Sequence, residues 1–132
     1  MSSKFVFVPR AQSVFARADI MSRNVFGLIY DRWKLSNRPQ NQQAFTDAYG
    51  VYCVYDRQDL ARELGVTLPT VRKAVKTLID QELITARRAG IGAAWRYYVT
   101  VRAQLYLDDE FARDIASTLD IDYRSERKNL SV

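Results

Sequence analysis

The sequence predicts an α+β domain, a winged helix-turn-helix with a short N-terminal strand and a C-terminal helix, on three observations. Two amphipathic helical patterns meet across a tight turn that begins at Gly65. Two β-rich stretches follow directly and flank a connection that holds Gly90 and Gly92. Ahead of both lies one long helical pattern, from about Ser22 to Leu35, that supplies an inner face for the others to pack on.

Composition frames what such a domain does. The 132 residues are one domain's worth, and at 48% apolar they bury a core instead of forming a disordered tail. With no histidine and a single cysteine, Cys53, the chain has no internal disulfide, no zinc site of the Cys/His kind and no triad built on an imidazole. Paired carboxylates, a nucleophile with its base and a phosphate-cradling glycine loop are all missing from the pattern, so no enzyme chemistry, metal or cofactor is expected. No run approaches the roughly 18 to 20 apolar residues of a membrane span, and the first ten residues lack the pattern of a secretory signal. A cytoplasmic location is expected.

Phe5, Val6, Phe7 and Val8 favour a strand that Pro9 ends, because proline offers no N–H to a ladder. Ser22 is a good N-cap, and Val25, Phe26, Ile29 and Trp33 recur at helical spacing, placing a first helix at about 22–35. The polar, aperiodic segment 37–43 reads as a loop and the most flexible place within the domain. Val51 to Tyr55 is β-branched and aromatic, a strand with Cys53 as a small buried hydrophobe. Asp56 caps the next helix, with Asp59 three residues on as a weak capping box. Leu60, Ala61 and Leu64 form its inner face, and Gly65 stops it.

Pro69 suits the first turn of a second helix, in which Val71, Ala74, Val75, Leu78 and Ile79 form one apolar face. Helices joined so tightly cross steeply, and in this arrangement the second one enters a DNA major groove. Its outer face carries Thr70, Arg72, Lys73, Lys76, Thr77 and Asp80. Arg72 suits a bidentate contact to a guanine edge, and Lys73 and Lys76 suit phosphates. Thr67 and Thr70 flank the helix start, where free N–H groups favour a phosphate.

Leu83 to Arg88 and Trp95 to Val101 read as strands of a hairpin, and a hairpin directly after a helix-turn-helix is a wing. Arg87, Arg88 and Arg96 are its candidates for phosphate or groove contacts. Alternation puts Arg87 and Arg88 on opposite faces, so at most one of them is expected to face the DNA. Trp95, Tyr97 and Tyr98 read as packing groups. Phe111, Ile115 and Leu119 place an amphipathic helix at Asp108 to Leu119, which closes the core or pairs with a second copy. The expected organisation is a winged-helix domain at 1–102, this helix within 103–122, and a tail or linker at 123–132.

Charge follows the same division. Residues 60–102 hold eight basic and three acidic residues, whereas 103–132 hold four and seven. A basic middle favours a polyanionic partner.

FVFVP at 5–9, MSRNVFGLIYDRWKLS at 21–36, VYCVY at 51–55, the helix-turn-helix and RAGIGAAWRYYV at 88–99 follow one another in a known order. The chain thereby resembles the N-terminal domain of RepA_N-type replication initiators of Gram-positive plasmids. In that family a Leu-Ser enters a helix carrying Tyr-Gly, Asp-Arg and a Leu-Ser exit, where this chain has Met21-Ser22, Phe26-Gly27, Asp31-Arg32 and Leu35-Ser36. The chain departs from the family at the wing, with Ala93-Ala94 in place of Lys-Pro, and in the first helix, with Val25 where a lysine is frequent.

The resemblance implies double-stranded DNA as partner, bound as a homodimer at origin repeats to initiate plasmid replication. It also implies that host replication proteins are recruited by a C-terminal domain for which 132 residues leave no room, so that this chain would be one domain of a longer initiator. The helix-turn-helix taken alone also resembles GntR-type and MarR-type repressors. A winged helix used for protein contacts is a third reading, and it predicts little salt dependence where a DNA binder predicts a steep one.

Overall fold

A computed structural model of the chain describes Phe15 and residues 17–107. Its spine is α1 (Ile20–Ser36), whose Val25, Phe26 and Ile29 are fully buried. The helix starts earlier than the sequence pattern indicates, because the cap is Asp19 and not Ser22. The Asp19 carboxylate accepts the Ser22 N–H at 2.8 Å, and Ser22 lies buried in the first turn. The interaction with Ser22 holds the Asp19 carboxyl below the usual carboxylate range.

The expected loop at 37–43 contains a short helix, α2 (Pro39–Gln42). Arg38 is extended, as a residue before proline prefers, and Pro39 opens the turn. The side-chain amides then bind backward: Asn41 donates to the Leu35 carbonyl at 2.8 Å and Gln42 to the Asn37 carbonyl at 2.7 Å. Polarity that reads as a loop in sequence is spent on the orphan carbonyls at the end of α1.

The strand expected at Val51–Tyr55 is divided between two sheets. Thr46–Asp47 (β1) pairs antiparallel with Gly50–Val51 (β2), while Cys53–Val54 (β3) joins a different sheet through Cys53↔Tyr97. Tyr52 stands at the division, and its N–H donates to the Phe45 carbonyl at 2.9 Å. Both halves are fastened to α1: Trp33 Nε1 donates to the Val51 carbonyl at 2.9 Å, and the buried Cys53 thiol lies 3.6 Å from the Ile29 carbonyl.

Asp56 caps α3 (Arg57–Leu64) by accepting the Gln58 N–H at 2.7 Å. The capping box does not close in the expected way, since the Asp59 carboxylate is taken by Arg62 at 2.7 Å. Gly65, at φ +67°, ends the helix in the left-handed conformation, and the Val66 N–H returns to the Ala61 carbonyl at 2.9 Å. Three residues later α4 (Leu68–Asp80) begins, with Thr67 as N-cap and Pro69 in its first turn. Val71, Ala74, Val75 and Leu78 are buried as expected, but Ile79 is 38% exposed. At 3.6 residues per turn it lies about 80° round the helix from Val71, beyond the buried stripe.

β4 (Ile84–Arg88) and β5 (Trp95–Val99) form the wing, and the sheet order is β3-β5-β4 with both pairings antiparallel. β5 ends at Val99, two residues before the expected limit, because Thr100 caps a following helical segment at 101–107. The Thr100 hydroxyl accepts the Ala103 N–H at 3.2 Å and lies 2.8 Å from the Glu82 carbonyl. Ala103 and Leu107 are buried in the main core, so helix begins here well before Asp108. The expected strand at Phe5–Val8, helix at Asp108–Leu119 and tail at 123–132 lie outside the described residues. One core unites α1, α3, α4 and the three-stranded sheet. No helix among the described residues is long and apolar enough to cross a membrane.

Candidate nucleic-acid interface

Burial of Val71, Ala74, Val75 and Leu78 against α1 and α3 leaves one face of α4 in solvent. That face carries Arg72, Lys73 and Lys76, all exposed, with Thr70 and Thr77 half-buried at its margins. Arg72 has no ion-pair partner among the described residues, and Lys73 has only the field of Asp19. Lys76 pairs with Asp80 at 2.9 Å one turn on, a solvated pair that a phosphate can displace at little cost. The Thr77 hydroxyl is occupied by the Lys73 carbonyl at 3.1 Å, and the Thr67 and Thr70 hydroxyls bind each other at 3.0 Å.

Beside the start of α4 lies an open groove of about 750 Å³, bounded by the N-terminus of α3 and by the wing. Arg32, Arg57, Arg72, Arg88 and Trp95 line it, together with Asp56 and Asp59. Both carboxylates are engaged locally, by the Gln58 N–H and by Arg62, so the groove keeps an excess of positive charge. Three of the four arginines are held on aromatic rings. The Arg32 guanidinium is centred 3.6 Å from the Tyr55 ring and donates to the Val54 carbonyl at 3.1 Å. Arg57 is 4.2 Å from the Trp95 ring centre and donates through Nε to the Tyr97 hydroxyl at 2.9 Å; Arg88 is 5.0 Å from the same ring.

Strand alternation separates the wing arginines as the sequence predicts. Arg88, opposite Trp95, faces the groove, while Arg87, opposite Arg96, faces the other side of the sheet. There Arg96 pairs with Asp47 at 2.9 Å and lies 4.4 Å from the Tyr52 ring, and Arg87 lies 3.5 Å from the Tyr49 ring. Tyr98 donates its hydroxyl to the same Asp47 carboxylate. Burial works against ionising Asp47, but the bonds from Tyr98, the Tyr49 amide and Arg96 outweigh it and hold its carboxyl below the usual range. Burial and the neighbouring carboxylate push the Tyr98 phenol up to about 12.

Of the nine residues selected from the sequence, Arg72 and Arg88 line the groove, while Thr67 stands at the start of α4 and Thr70, Lys73, Lys76 and Thr77 lie along that helix outside its buried stripe. Arg87 and Arg96 fasten the β1–β2 hairpin to the rear of the wing. Sequence reasoning missed Arg32 and Arg57. The position of Arg57 directly after the Asp56 cap was a local signal, but Arg32 reaches the groove only through the packing of α1 on β3. At the wing tip Ile91 is fully exposed, and Gly92 sits at φ +84°.

No protein-family model matches the sequence, and neither does any curated protein. Solved structures do match, and the chain aligns with several of them over 82% of its length. One is described as the N-terminal domain of a DNA-binding protein, with TM-score 0.56, 20% identity and 86% of that chain covered. Another is a Rep–DNA complex, with TM-score 0.56, 20% identity and 87% covered, and a third an MDR initiator, with TM-score 0.53, 18% identity and 89% covered. At this identity the likeness is one of fold, and the fold of this chain is an α+β winged helix-turn-helix.

Proposed function

We propose that this chain binds duplex DNA sequence-specifically at the repeats of a plasmid replication origin and so serves initiation of replication. The observation that carries the reading is the arginine-lined groove beside the start of α4, between the N-terminus of α3 and the wing. The sequence resemblance to RepA_N-type initiators supports it, as do the Rep–DNA complex and the initiator among proteins of like fold. The chain acts by binding and not by catalysis.

In this reading α4 lies in the major groove. Arg72, near the helix start and without an ion-pair partner among the described residues, reads a guanine edge, while Lys73 and Lys76 neutralise phosphates. Thr67 and Thr70 meet the backbone at the helix start, and Thr77 approaches it alongside Lys73. Arg88 carries the wing's contact, with Arg32 and Arg57 adding positive field at the groove wall. Arg87 and Arg96 serve the wing from behind by holding its rear face. Recognition of repeats favours a homodimer, since paired half-sites match a two-fold pair of reading helices. Host replication proteins would be contacted from outside this domain.

Selection of bound sites from random duplex DNA tests the reading. Repeated half-sites that map to a plasmid origin are the expected result. A single promoter operator would favour a GntR-type or MarR-type repressor instead. A salt titration that stays flat on duplex DNA would overturn DNA binding altogether, because each neutralised phosphate contributes a log–log slope of roughly −0.9.

A further inference from the structure

We infer that Trp95 is a positioning residue for DNA contact, its indole ring a shelf that holds Arg57 of α3 and Arg88 of the wing as one phosphate-gripping pair. The inference rests on the DNA-binding reading and adds to it a specific contact shared by two elements.

Geometry carries the argument. Both guanidinium groups lie over the same indole, at 4.2 and 5.0 Å from its centre, and all three residues line the groove that also holds Arg72. Tryptophan offers the strongest aromatic face for a cation. Arg57 is fixed further by its Nε bond to the Tyr97 hydroxyl, which leaves its two terminal nitrogens unclaimed by that bond. Arg88 is placed by the sheet, because it stands directly across from Trp95 in the β4–β5 register.

An arginine held flat on a ring gives up less freedom when it closes on an anion than one waving in water. Two cations beside one ring leave the groove wall with excess positive charge, which a phosphate with several acceptor oxygens neutralises. The carboxylates that line the same groove do not fill this role. Asp56 is turned to the Gln58 N–H and Asp59 to Arg62. A duplex whose major groove receives α4 brings a backbone phosphate to this place beside the reading helix, and the pair would fix the distance between helix and wing across it.

The test is a salt titration of the full 132-residue chain on fluorescently labelled random-sequence duplex DNA. Arg57→Ala and Arg88→Ala should each flatten the log–log slope by about 0.9, one phosphate's share, and the double variant should flatten it no further. Trp95→Ala should lower the slope by the same amount, and Trp95→Phe, which keeps a ring face, should restore it. A wild-type slope in Trp95→Ala, or additive losses in the double variant, would overturn the shelf while leaving DNA binding intact. Arg88 is exposed and Arg57 half-buried, and circular dichroism shows whether each variant is folded, so the additivity arm decides the matter even where Trp95→Ala folds poorly. A flat titration of the unaltered chain would overturn this inference together with the DNA-binding reading.

Discussion

Arg72 and Lys76 illustrate how much a single residue's surroundings say about its task. Both are exposed on α4, but Lys76 is countered by Asp80 a turn away, whereas Arg72 opens onto the groove with no ion-pair partner among the described residues. Arginine's planar fork suits a base edge and lysine's point charge suits a phosphate. Arg72→Ala is expected to cost about 1 to 3 kcal/mol on the selected site and to relax preference at one base pair. Lys76→Ala should weaken selected and random DNA alike and lower the salt slope by roughly one. Competition binding with single-base variants of the site checks both, and equal weakening on all sequences by Arg72→Ala would show that it does not read a base. Sequence alone ranked these two residues but gave Arg32 no weight. Its neighbours in the chain are ordinary helix residues, and only the packing of α1 beside β3 brings it to the groove.

Elements were legible where local physics settles them. The α3 cap at Asp56, its stop at Gly65, the buried stripe of α4 and the wing strands all rest on short-range rules: an acceptor for free N–H groups, a residue free to adopt positive φ, and helical or alternating periodicity. The misreadings share the opposite property. Val51 to Tyr55 looks uniform in composition, but its two halves have different partners, Thr46 and Tyr97, and nothing inside the segment records that. The polar run at 37–43 forms α2 because its amides find carbonyls at the end of α1, and the chain after Val99 turns helical because the Thr100 hydroxyl is free to cap. At Gly65 an added Cβ would meet no atom within 4 Å, so the cost of a side chain there is conformational alone. Gly65→Ala should therefore lower stability by about 1 to 2 kcal/mol, read by urea denaturation, with the turn between α3 and α4 otherwise unchanged.

For the molecule as a whole, the buried acids on either side of the three-stranded sheet set its response to alkali. Burial pushes the Cys53 thiol from an ordinary 9.0 to about 12, with Arg32 only partly opposing it, and the Tyr98 phenol also stands at about 12 against an ordinary 10.0. Both are raised, so their neutral forms belong to the folded state. The stability they contribute is present in full below their unfolded values and is lost as pH rises from 9 toward 12. Urea midpoints should thus be level from pH 7 to about 9 and fall beyond it, with Cys53→Ala reducing the part of the fall that starts first. An unchanged alkaline limb in that variant would show that Cys53 is not its source. Over the neutral range Cys53 should resist alkylation until the chain unfolds.

The β3-β5-β4 order has a bearing on the birth of the molecule. β3 is made about forty residues before the strand it pairs with, and β4 is made before it as well, so both wait for a middle strand that leaves the ribosome last. The helices need no such delay, since α1, α3 and α4 come complete by Asp80 and pack on one another. A nascent chain stalled short of Trp95 should carry α4 already formed and its wing still open. Trp95, the ring that Arg57 and Arg88 share, is the last of the three to arrive.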